Sequence, residues 1–210
     1  MNGPYEAFHR RSLEDREGFW ADEAEAIHWH RPAARVLEYS RPPFARWFAG
    51  GETILCHNAI DRHLPSRARQ AALIYISTET GASRTYTYGE LHREVSRFAA
   101  VLLELGARRG DRVVIYMPMI PEAVFAMLAC ARIGAIHSVV FGGFAAPNLA
   151  ARIDDARPKL LVTADAGLRA GKVIPYKHLV DEALRLSRSP PDKVLICRRG
   201  LDPGMPVQPG

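Results

Sequence analysis

One stretch of the chain combines glycine and aromatic residues in a way that suits ligand binding. Phe141, Gly142, Gly143 and Phe144 directly follow an apolar, strand-like run, Ile136–Val140. Glycines let a backbone approach a ligand closely, and the flanking rings could stack on a nucleobase. The alternative interpretation is a tight turn between a strand and a helix, with both aromatic side chains in the core. The residue types alone leave both interpretations open.

A second stretch places two cations close together in a loop that contains glycine. Arg169 and Lys172 flank Ala170 and Gly171, soon after another apolar run, Lys159–Thr163. An arginine can hold a phosphate through two parallel N–H donors, whereas a lysine acts as a point charge. The alternative is a basic loop that simply faces solvent. The segment therefore predicts either a phosphate contact or an ordinary charged loop.

The sequence gives little support for a metal-binding site. His57, Asp61 and His63 lie close together, as metal ligands can, but further ligands at a diagnostic spacing are missing. We expect Asp61 to cap or pair within a structural turn instead.

Several common catalytic signatures are absent from the sequence. There is no Gly-x-Ser-x-Gly, no Gly-x-x-x-x-Gly-Lys-Ser/Thr and no Gly-x-Gly-x-x-Gly. The three cysteines, Cys56, Cys130 and Cys197, lie far apart and show no Cys-x-x-Cys spacing. We therefore expect reduced thiols in a cytoplasmic protein, without a disulfide framework or a zinc site.

The elements that must position these residues alternate between strands and helices. Thr87 and Glu90 match a capping box at the start of a helix that Gly106 ends. The predicted strands are Ala72–Ile76, Arg84–Thr87, Arg112–Met117, Ile136–Val140, Lys159–Thr163 and Val194–Cys197. The further predicted helices are Pro121–Arg132, Pro147–Ala156 and Leu179–Leu186. Such alternation predicts an α/β fold with a mainly parallel sheet flanked by helices.

The sequence predicts two regions with a boundary near residue 63. Residues 1–63 hold all three tryptophans and several prolines, which indicates an irregular lead-in segment anchored by its aromatic side chains. Ser12–Asp15 matches a helix-start signal ahead of Phe19 and Trp20. Residues 64–210 carry the alternating strands and helices.

Composition and charge narrow the classes of partner. The chain is 48% apolar and 24% charged, which is ordinary for a globular protein with a core of normal size. Its net charge of +5 comes from scattered residues without a Lys/Arg block, so we do not expect nucleic acid as a partner. The apolar stretch Ala123–Phe144 contains Arg132 and a glycine pair, which argues against a membrane span.

Longer motifs give the sequence a specific resemblance. The segments Arg112–Glu122, Ala126–Ser138, Val140–Phe144, Asn58–His63 and Thr163–Lys172 together resemble the acetyl-CoA and propionyl-CoA synthetases of the adenylate-forming superfamily. The resemblance extends from about Tyr5 to Gly200. Four stretches look more like propionate–CoA ligases than acetate–CoA ligases, namely Pro42–Phe48, Cys56–Asp61, Arg152–Pro158 and Val173–Lys177.

The resemblance implies a two-step, AMP-forming reaction. A short-chain acid, propionate or alternatively acetate, would react with ATP to give an acyl-adenylate and pyrophosphate. The thiol of CoA would then attack the adenylate, with Mg²⁺ neutralising phosphate charge in the first step. Of the substrates and cofactors, we expect only CoA to contact this segment.

The family's CoA contacts carry over onto the two stretches described first. The resemblance implies that Arg169 and Lys172 hold the 3′-phosphate region and that Gly143 and its turn line the adenine end. The implied set of CoA-binding residues is Phe141, Gly142, Gly143, Arg169, Ala170, Gly171 and Lys172. Many acetate–CoA ligases have Arg where this sequence has Lys172. Lys keeps the positive charge but lacks the two parallel N–H donors of a guanidinium group.

The resemblance also implies what this segment does not hold. The family's Ser/Thr/Gly-rich phosphate loop and acyl-activating lysine have no counterpart in the sequence, so no catalytic residue and no metal ligand are expected here. We therefore expect an incomplete AMP-binding domain that is inactive alone and has the remainder of the synthetase as its partner. The alternative is a stand-alone CoA- or nucleotide-binding module or subunit.

Overall fold

A computed structural model describes residues 3–207, which divide into two compact units. The first unit ends at Asn58 and the second begins at Ala59. Each unit has its own secondary structure and is described separately.

The first unit begins with two helices that meet at Asp15. Helix α1 spans Pro4–Glu14 and helix α2 spans Arg16–Ala24. The Asp15 side chain accepts a hydrogen bond from the Gly18 N–H at 3.2 Å and so caps α2. The prediction of a helix start at Ser12 was wrong, because the Ser12 hydroxyl donates to the His9 carbonyl within α1. The acidic residue of the motif provides the cap instead.

An antiparallel hairpin replaces most of the irregular segment that the sequence predicted. Strand β1 spans Arg35–Arg41 and strand β2 spans Phe44–Ala49. Arg41 pairs with Phe44, so Pro42 and Pro43 form the connection. The prolines therefore interrupt the strands only at the turn, where missing N–H donors do not matter.

Aromatic side chains pack against one another within the first unit. Phe19 is buried on α2 and contacts Phe8 and Trp20 edge to face, at ring-centroid distances of 4.7 and 5.1 Å. Trp20 in turn contacts Trp47 on β2 at 6.1 Å. Since few other side chains of this unit are buried, these rings provide much of its apolar packing.

Short helical segments join the first unit to the second. Helix α3 spans Leu55–Ala59, a 3₁₀ turn spans Asp61–His63, and helix α4 spans Leu64–Arg67. Asp61 accepts a hydrogen bond from Arg132 at 2.6 Å. Asp61 therefore has a structural partner, but this partner is distant in sequence and does not lie within the predicted turn.

The second unit opens with a hairpin and a capped helix. Strand β3 spans Ala71–Ile76 and pairs antiparallel with β4, Ser83–Thr87. Helix α5, Tyr88–Glu104, begins with the predicted capping box, in which Thr87 and Glu90 satisfy each other's backbone N–H groups.

A four-stranded parallel sheet forms the centre of the second unit. Its strands are β5 (Arg112–Met117), β6 (Ile136–Phe141), β7 (Leu160–Ala164) and β10 (Lys193–Cys197), in the order β10-β7-β5-β6. Helices α6 (Pro121–Ile133), α7 (Ala146–Ala156) and α8 (Tyr176–Leu186) connect them. The predicted α/β fold with a mainly parallel sheet is confirmed.

Helices cover both faces of this sheet. The chain moves from β5 to β6 in one direction and from β6 to β7 in the other, so right-handed crossovers place α6 and α7 on opposite faces. Apolar residues of α7 and α8 pack on Val114 and Tyr116 of β5, Val140 of β6 and Leu161 of β7. The direction of the connections changes beside β5, and ligands commonly bind at such a point.

Three local predictions need correction. The apolar run Ile136–Val140 predicts a buried strand, but β6 lies at the edge of the sheet in residues 3–207 and leaves Ile136 and Val139 exposed. The loop after β7 contains a further hairpin of β8 (Gly167–Arg169) and β9 (Lys172–Ile174). Helix α8 also begins at Tyr176, one turn earlier than predicted.

Candidate functional site

The candidate site lies where the parallel strands end. The turn after β6 and the hairpin after β7 both leave the sheet at its carboxyl edge, and the end of β5 lies between them. This edge is the usual place for ligands in parallel α/β sheets, because loops and helix N-termini converge there. The two stretches singled out from the sequence therefore share one edge.

The glycine turn is tightly packed on its inner side. Phe141 ends β6, and its carbonyl accepts a hydrogen bond from the Phe144 N–H at 3.1 Å. A Cβ placed on Gly142 would overlap the Tyr176 hydroxyl and would lie only 2.9 Å from the Met117 carbonyl oxygen. No other residue could occupy this position without displacing the turn.

The two aromatic residues of the turn differ in how exposed their side chains are. The Phe141 side chain is 64% exposed, whereas Phe144 packs against the core under α7 and α8. The two rings meet edge to face at 5.9 Å. The alternative interpretation, in which both aromatic side chains lie in the core, therefore holds for Phe144 alone. The Phe141 ring is available to a ligand.

The basic segment is an ordered two-residue hairpin. Ala170 and Gly171 form its turn with φ angles of 49° and 73°, as type I′ hairpins require. Arg169 and Lys172 are paired directly opposite each other, and both are exposed. Directly opposed side chains project from the same face of a hairpin, so the two cations lie side by side.

The turn and the hairpin approach each other at one point. A Cβ on Gly143 would lie 2.9 Å from Nη1 of Arg169 and 2.6 Å from the Phe141 ring. The absence of a side chain at Gly143 therefore leaves room for the arginine beside the turn. The structure brings these predicted residues together, while Lys172 stands at the far side of the hairpin turn.

Tyr176 supports both loops, although no role for it is predicted from the sequence. It is the first residue of α8 and is only 7% exposed. Its ring packs on Tyr116 at a centroid distance of 5.0 Å, and a Cβ on Gly167 would lie 2.7 Å from its Cε2 atom. Its hydroxyl lies beneath Gly142. Glycines in both loops thus make space for one tyrosine.

Asp165 is a second residue that the sequence did not single out. Its buried carboxylate accepts hydrogen bonds from the N–H groups of Ala166, Arg199, Gly200 and Leu201, at 2.7 to 3.1 Å. Burial favours the neutral acid, but these four donors outweigh it and hold the pKa of Asp165 below its usual value. The ionised carboxylate therefore fixes the backbone that follows β10.

The thiols of the chain are not suited to nucleophilic chemistry. Cys56 and Cys130 are buried, Cys197 is half-buried, and residues 3–207 contain no disulfide. Burial raises the pKa of Cys130 to about 12 and that of Cys197 to about 11. Both groups are therefore protonated at neutral pH.

The remaining candidates give no metal site or membrane span in the described chain. Across residues 3–207, no group of three or more His, Cys, Asp or Glu side chains is arranged to hold a metal ion. His63 contacts the Tyr88 ring at 5.2 Å instead. No helix in the same residues has both the length and the apolar character needed to cross a bilayer.

Comparisons with known proteins match both units. The family model of the acetyl-coenzyme A synthetase N-terminus matches residues 5–59, and that of the AMP-binding enzyme matches residues 60–202. The propionate–CoA ligase of Salmonella typhimurium is 56% identical over 197 residues, which are 94% of this chain and 31% of that protein. The acetyl-coenzyme A synthetase of Thiobacillus denitrificans is 52% identical over 197 residues, or 93% of this chain and 30% of that protein.

A solved structure shows the same architecture. The acetoacetyl-CoA synthetase from Streptomyces lividans superposes with a TM-score of 0.80 at 31% identity. The match covers 99% of this chain and 34% of that one. The chain thus spans about a third of the length of the proteins it matches.

Proposed function

Because the chain belongs to the AMP-binding enzyme family, we propose that it forms the N-terminal region and first part of the AMP-binding domain of a short-chain acyl-CoA synthetase. In the proposed reaction a carboxylate oxygen of the acid attacks the α-phosphorus of ATP and expels pyrophosphate. The sulfur of CoA then attacks the acyl carbon, and AMP leaves. The products are acyl-CoA, AMP and pyrophosphate.

The acid that we propose is propionate, with acetate as the alternative. The support is the printed activity of the relatives, a propionate–CoA ligase at 56% identity and an acetyl-coenzyme A synthetase at 52%. A boundary near residue 63 remains our proposal for the two domains, and the family matches that meet at residues 59 and 60 support it.

The role that we propose for the described residues is to bind CoA. The observation that carries this proposal is the meeting of Arg169 with the Gly142–Gly143 turn at the carboxyl edge of the sheet. Arg169 and Lys172 would hold a phosphate of CoA between them, which would relieve the repulsion of two directly opposed cations. Gly143 and the exposed Phe141 ring would line the adenine, with Ala170 and Gly171 shaping the hairpin.

Other components of the proposed reaction lie outside this site. ATP and Mg²⁺ are proposed for the synthetase as a whole, and the described residues provide no ligand set for the metal. The remainder of a synthetase is the proposed partner, with neither nucleic acid nor membrane involved. We propose a cytoplasmic location, because three cysteines that form no disulfide within residues 3–207 suit a reducing compartment.

Replacing Arg169 tests the proposed CoA site. We expect Arg169→Ala to weaken CoA binding to the 210-residue chain by roughly 10- to 100-fold, because a charge-assisted contact to phosphate is lost. Isothermal titration calorimetry with CoA and with 3′-dephospho-CoA measures the effect, which should be smaller for the second ligand.

Arg185→Ala is the matched control, since Arg185 is an exposed cation near the end of α8. It should leave the affinity unchanged. Equal weakening by both variants would attribute the effect to general surface charge and contradict the proposed site. Unaltered binding by Arg169→Ala would contradict it as well.

A further inference from the structure

We infer that the Tyr176 hydroxyl is an additional ligand contact, which donates a hydrogen bond to a phosphate oxygen held by Arg169. This inference rests on the proposed function, since it assumes that the phosphate-bearing end of CoA occupies the site between the glycine turn and the hairpin. It adds a neutral donor on α8 to the cations and backbone groups already assigned to that site.

The first observation is a tyrosine hydroxyl that has no hydrogen-bond partner within residues 3–207. Tyr176 is 7% exposed, yet its hydroxyl makes no hydrogen bond to any group in residues 3–207. Its neighbour Tyr116 behaves differently, because the Tyr116 hydroxyl donates to the Phe144 carbonyl at 2.7 Å. The Tyr176 hydroxyl keeps some contact with solvent, so a ligand atom can reach it. The Tyr176 hydroxyl is therefore free to take a ligand atom as its partner.

The second observation is the direction of this side chain. The tyrosine ring lies between Gly167 of β8 and Gly142 of the turn, and neither position could carry a Cβ without overlapping it. The ring also packs on Tyr116 with an angle of 41° between the ring planes. These contacts fix the ring, so the hydroxyl is held in one place beneath the turn. A fixed donor loses little entropy when it binds.

The charges around the hydroxyl favour an anionic partner. Burial raises the pKa of Tyr176, so the hydroxyl keeps its proton at neutral pH and can donate it. Arg199 and Arg169 both oppose this rise, which shows that their positive fields reach the hydroxyl. Glu79 is the acidic group that acts on it in the opposite sense. A proton donor in the positive field of two arginines suits a phosphate oxygen better than a neutral acceptor.

The test is the removal of this single oxygen. Tyr176→Phe keeps the ring and its packing against Gly142, Gly167 and Tyr116. We expect it to weaken binding of CoA to the 210-residue chain about tenfold, the effect of losing one hydrogen bond to a charged group. Adenosine 3′,5′-bisphosphate, which carries phosphates but no pantetheine arm, should lose affinity by a similar factor.

Tyr86→Phe is the matched control, because Tyr86 is a buried tyrosine on β4 away from the strand ends. It should leave both affinities unchanged, and Tyr176→Phe and Tyr86→Phe should unfold at the same temperature as the unaltered chain. Tyr176→Leu separates packing from hydrogen bonding. If the ring serves packing alone, Tyr176→Phe binds like the unaltered chain and only Tyr176→Leu is weakened, which overturns the inference.

Measuring CoA and adenosine 3′,5′-bisphosphate side by side also distinguishes two outcomes: the inference about Tyr176 is wrong, or the proposed CoA site is wrong. A loss confined to CoA and absent for the bisphosphate would place the hydroxyl away from the phosphates and overturn the inference. No binding of either ligand by the unaltered chain would overturn the proposed CoA site, and the inference would fall with it.

Discussion

At the scale of single residues, Asp165 links the end of β7 to the backbone after β10. Four N–H groups point at one carboxylate, so replacing either oxygen by an NH₂ group would set donor against donor. The charge is buried, but it is satisfied by these bonds without a cation. Its effect should therefore appear in the stability of the unit.

We expect Asp165→Asn to lower the free energy of unfolding by roughly 2–4 kcal/mol at neutral pH, because buried backbone donors lose their acceptor. Urea denaturation followed by circular dichroism measures this change. Asp192→Asn is the control, since the Asp192 carboxylate is exposed and pairs with Lys159 at the surface. A loss of stability equal in the two variants would contradict the role of the buried carboxylate.

The same carboxylate should make the stability of the folded chain depend on pH in a defined direction. Its pKa is lower in the folded chain than in the unfolded chain, so its stabilisation is present above about pH 4 and is lost as pH falls through the folded-state value. The difference between the unaltered chain and Asp165→Asn should therefore shrink on acidification to about pH 3. A difference that is constant from neutral to acid pH would show that ionisation is not involved.

Residue types predicted part of the site, and packing determined the rest. Gly143 and Arg169 were found from the sequence because glycine and arginine have distinctive chemistry in loops after strands. Tyr176 and Asp165 were missed because their importance comes from residues distant in sequence, such as Gly142 and Gly200. An aromatic residue opening a helix and an acid ending a strand give no such signal by themselves.

At the scale of elements, the start of α5 shows how a short motif determines a boundary. The Thr87 hydroxyl accepts a hydrogen bond from the Glu90 N–H at 3.2 Å, and the Glu90 carboxylate accepts one from the Thr87 N–H at 2.8 Å. Because α5 packs beside α6 and the β3–β4 hairpin, fraying at its first turn would disturb both contacts.

We expect Thr87→Ala to destabilise the chain by about 1 kcal/mol, the usual effect of removing a side-chain cap. Thermal unfolding monitored by circular dichroism measures it. Ser96→Ala also removes one hydroxyl but lies in the middle of α5, where alanine favours the helix, so it should be neutral or slightly stabilising. Destabilisation by Ser96→Ala of equal size would mean that the cap is not the cause.

Long elements with caps were predictable, whereas the β1–β2 and β8–β9 hairpins were not. Helix α6 ends at Gly134 with a φ of 73°, as the sequence predicted from glycine at that position. The β1–β2 and β8–β9 hairpins escaped prediction because their side chains are mostly exposed and β8 and β9 have three residues each. Strands of that length carry too few residues for an alternating pattern.

At the scale of the whole molecule, the sheet order leaves β6 as an edge strand. Alternation of strands and helices predicted a parallel sheet, but order depends on which side each crossover takes, and that is not encoded in periodicity. In residues 3–207, β6 pairs only with β5, and Val139 on β6 is 54% exposed. Exposed, apolar strand edges promote association between chains.

We expect the purified chain to self-associate with rising concentration and Val139→Lys to reduce this, because an edge charge disfavours strand pairing. Sedimentation velocity over a concentration series measures the effect. Val101→Lys makes the same change on α5, at an exposed valine outside the sheet, and should leave self-association unaltered. Equal reduction by both variants would assign the effect to net charge.

The direct opposition of Arg169 and Lys172 makes the hairpin respond to ionic strength in two ways. Opposed side chains lie about 5 Å apart at Cβ, which is within the screening length of about 8 Å at physiological salt. The repulsion between the two cations therefore persists at physiological salt, and it weakens only when higher salt shortens the screening length, to about 3 Å at 1 M. The same salt weakens attraction to an anionic ligand. Salt thus replaces the ligand's effect on the hairpin while competing with the ligand itself.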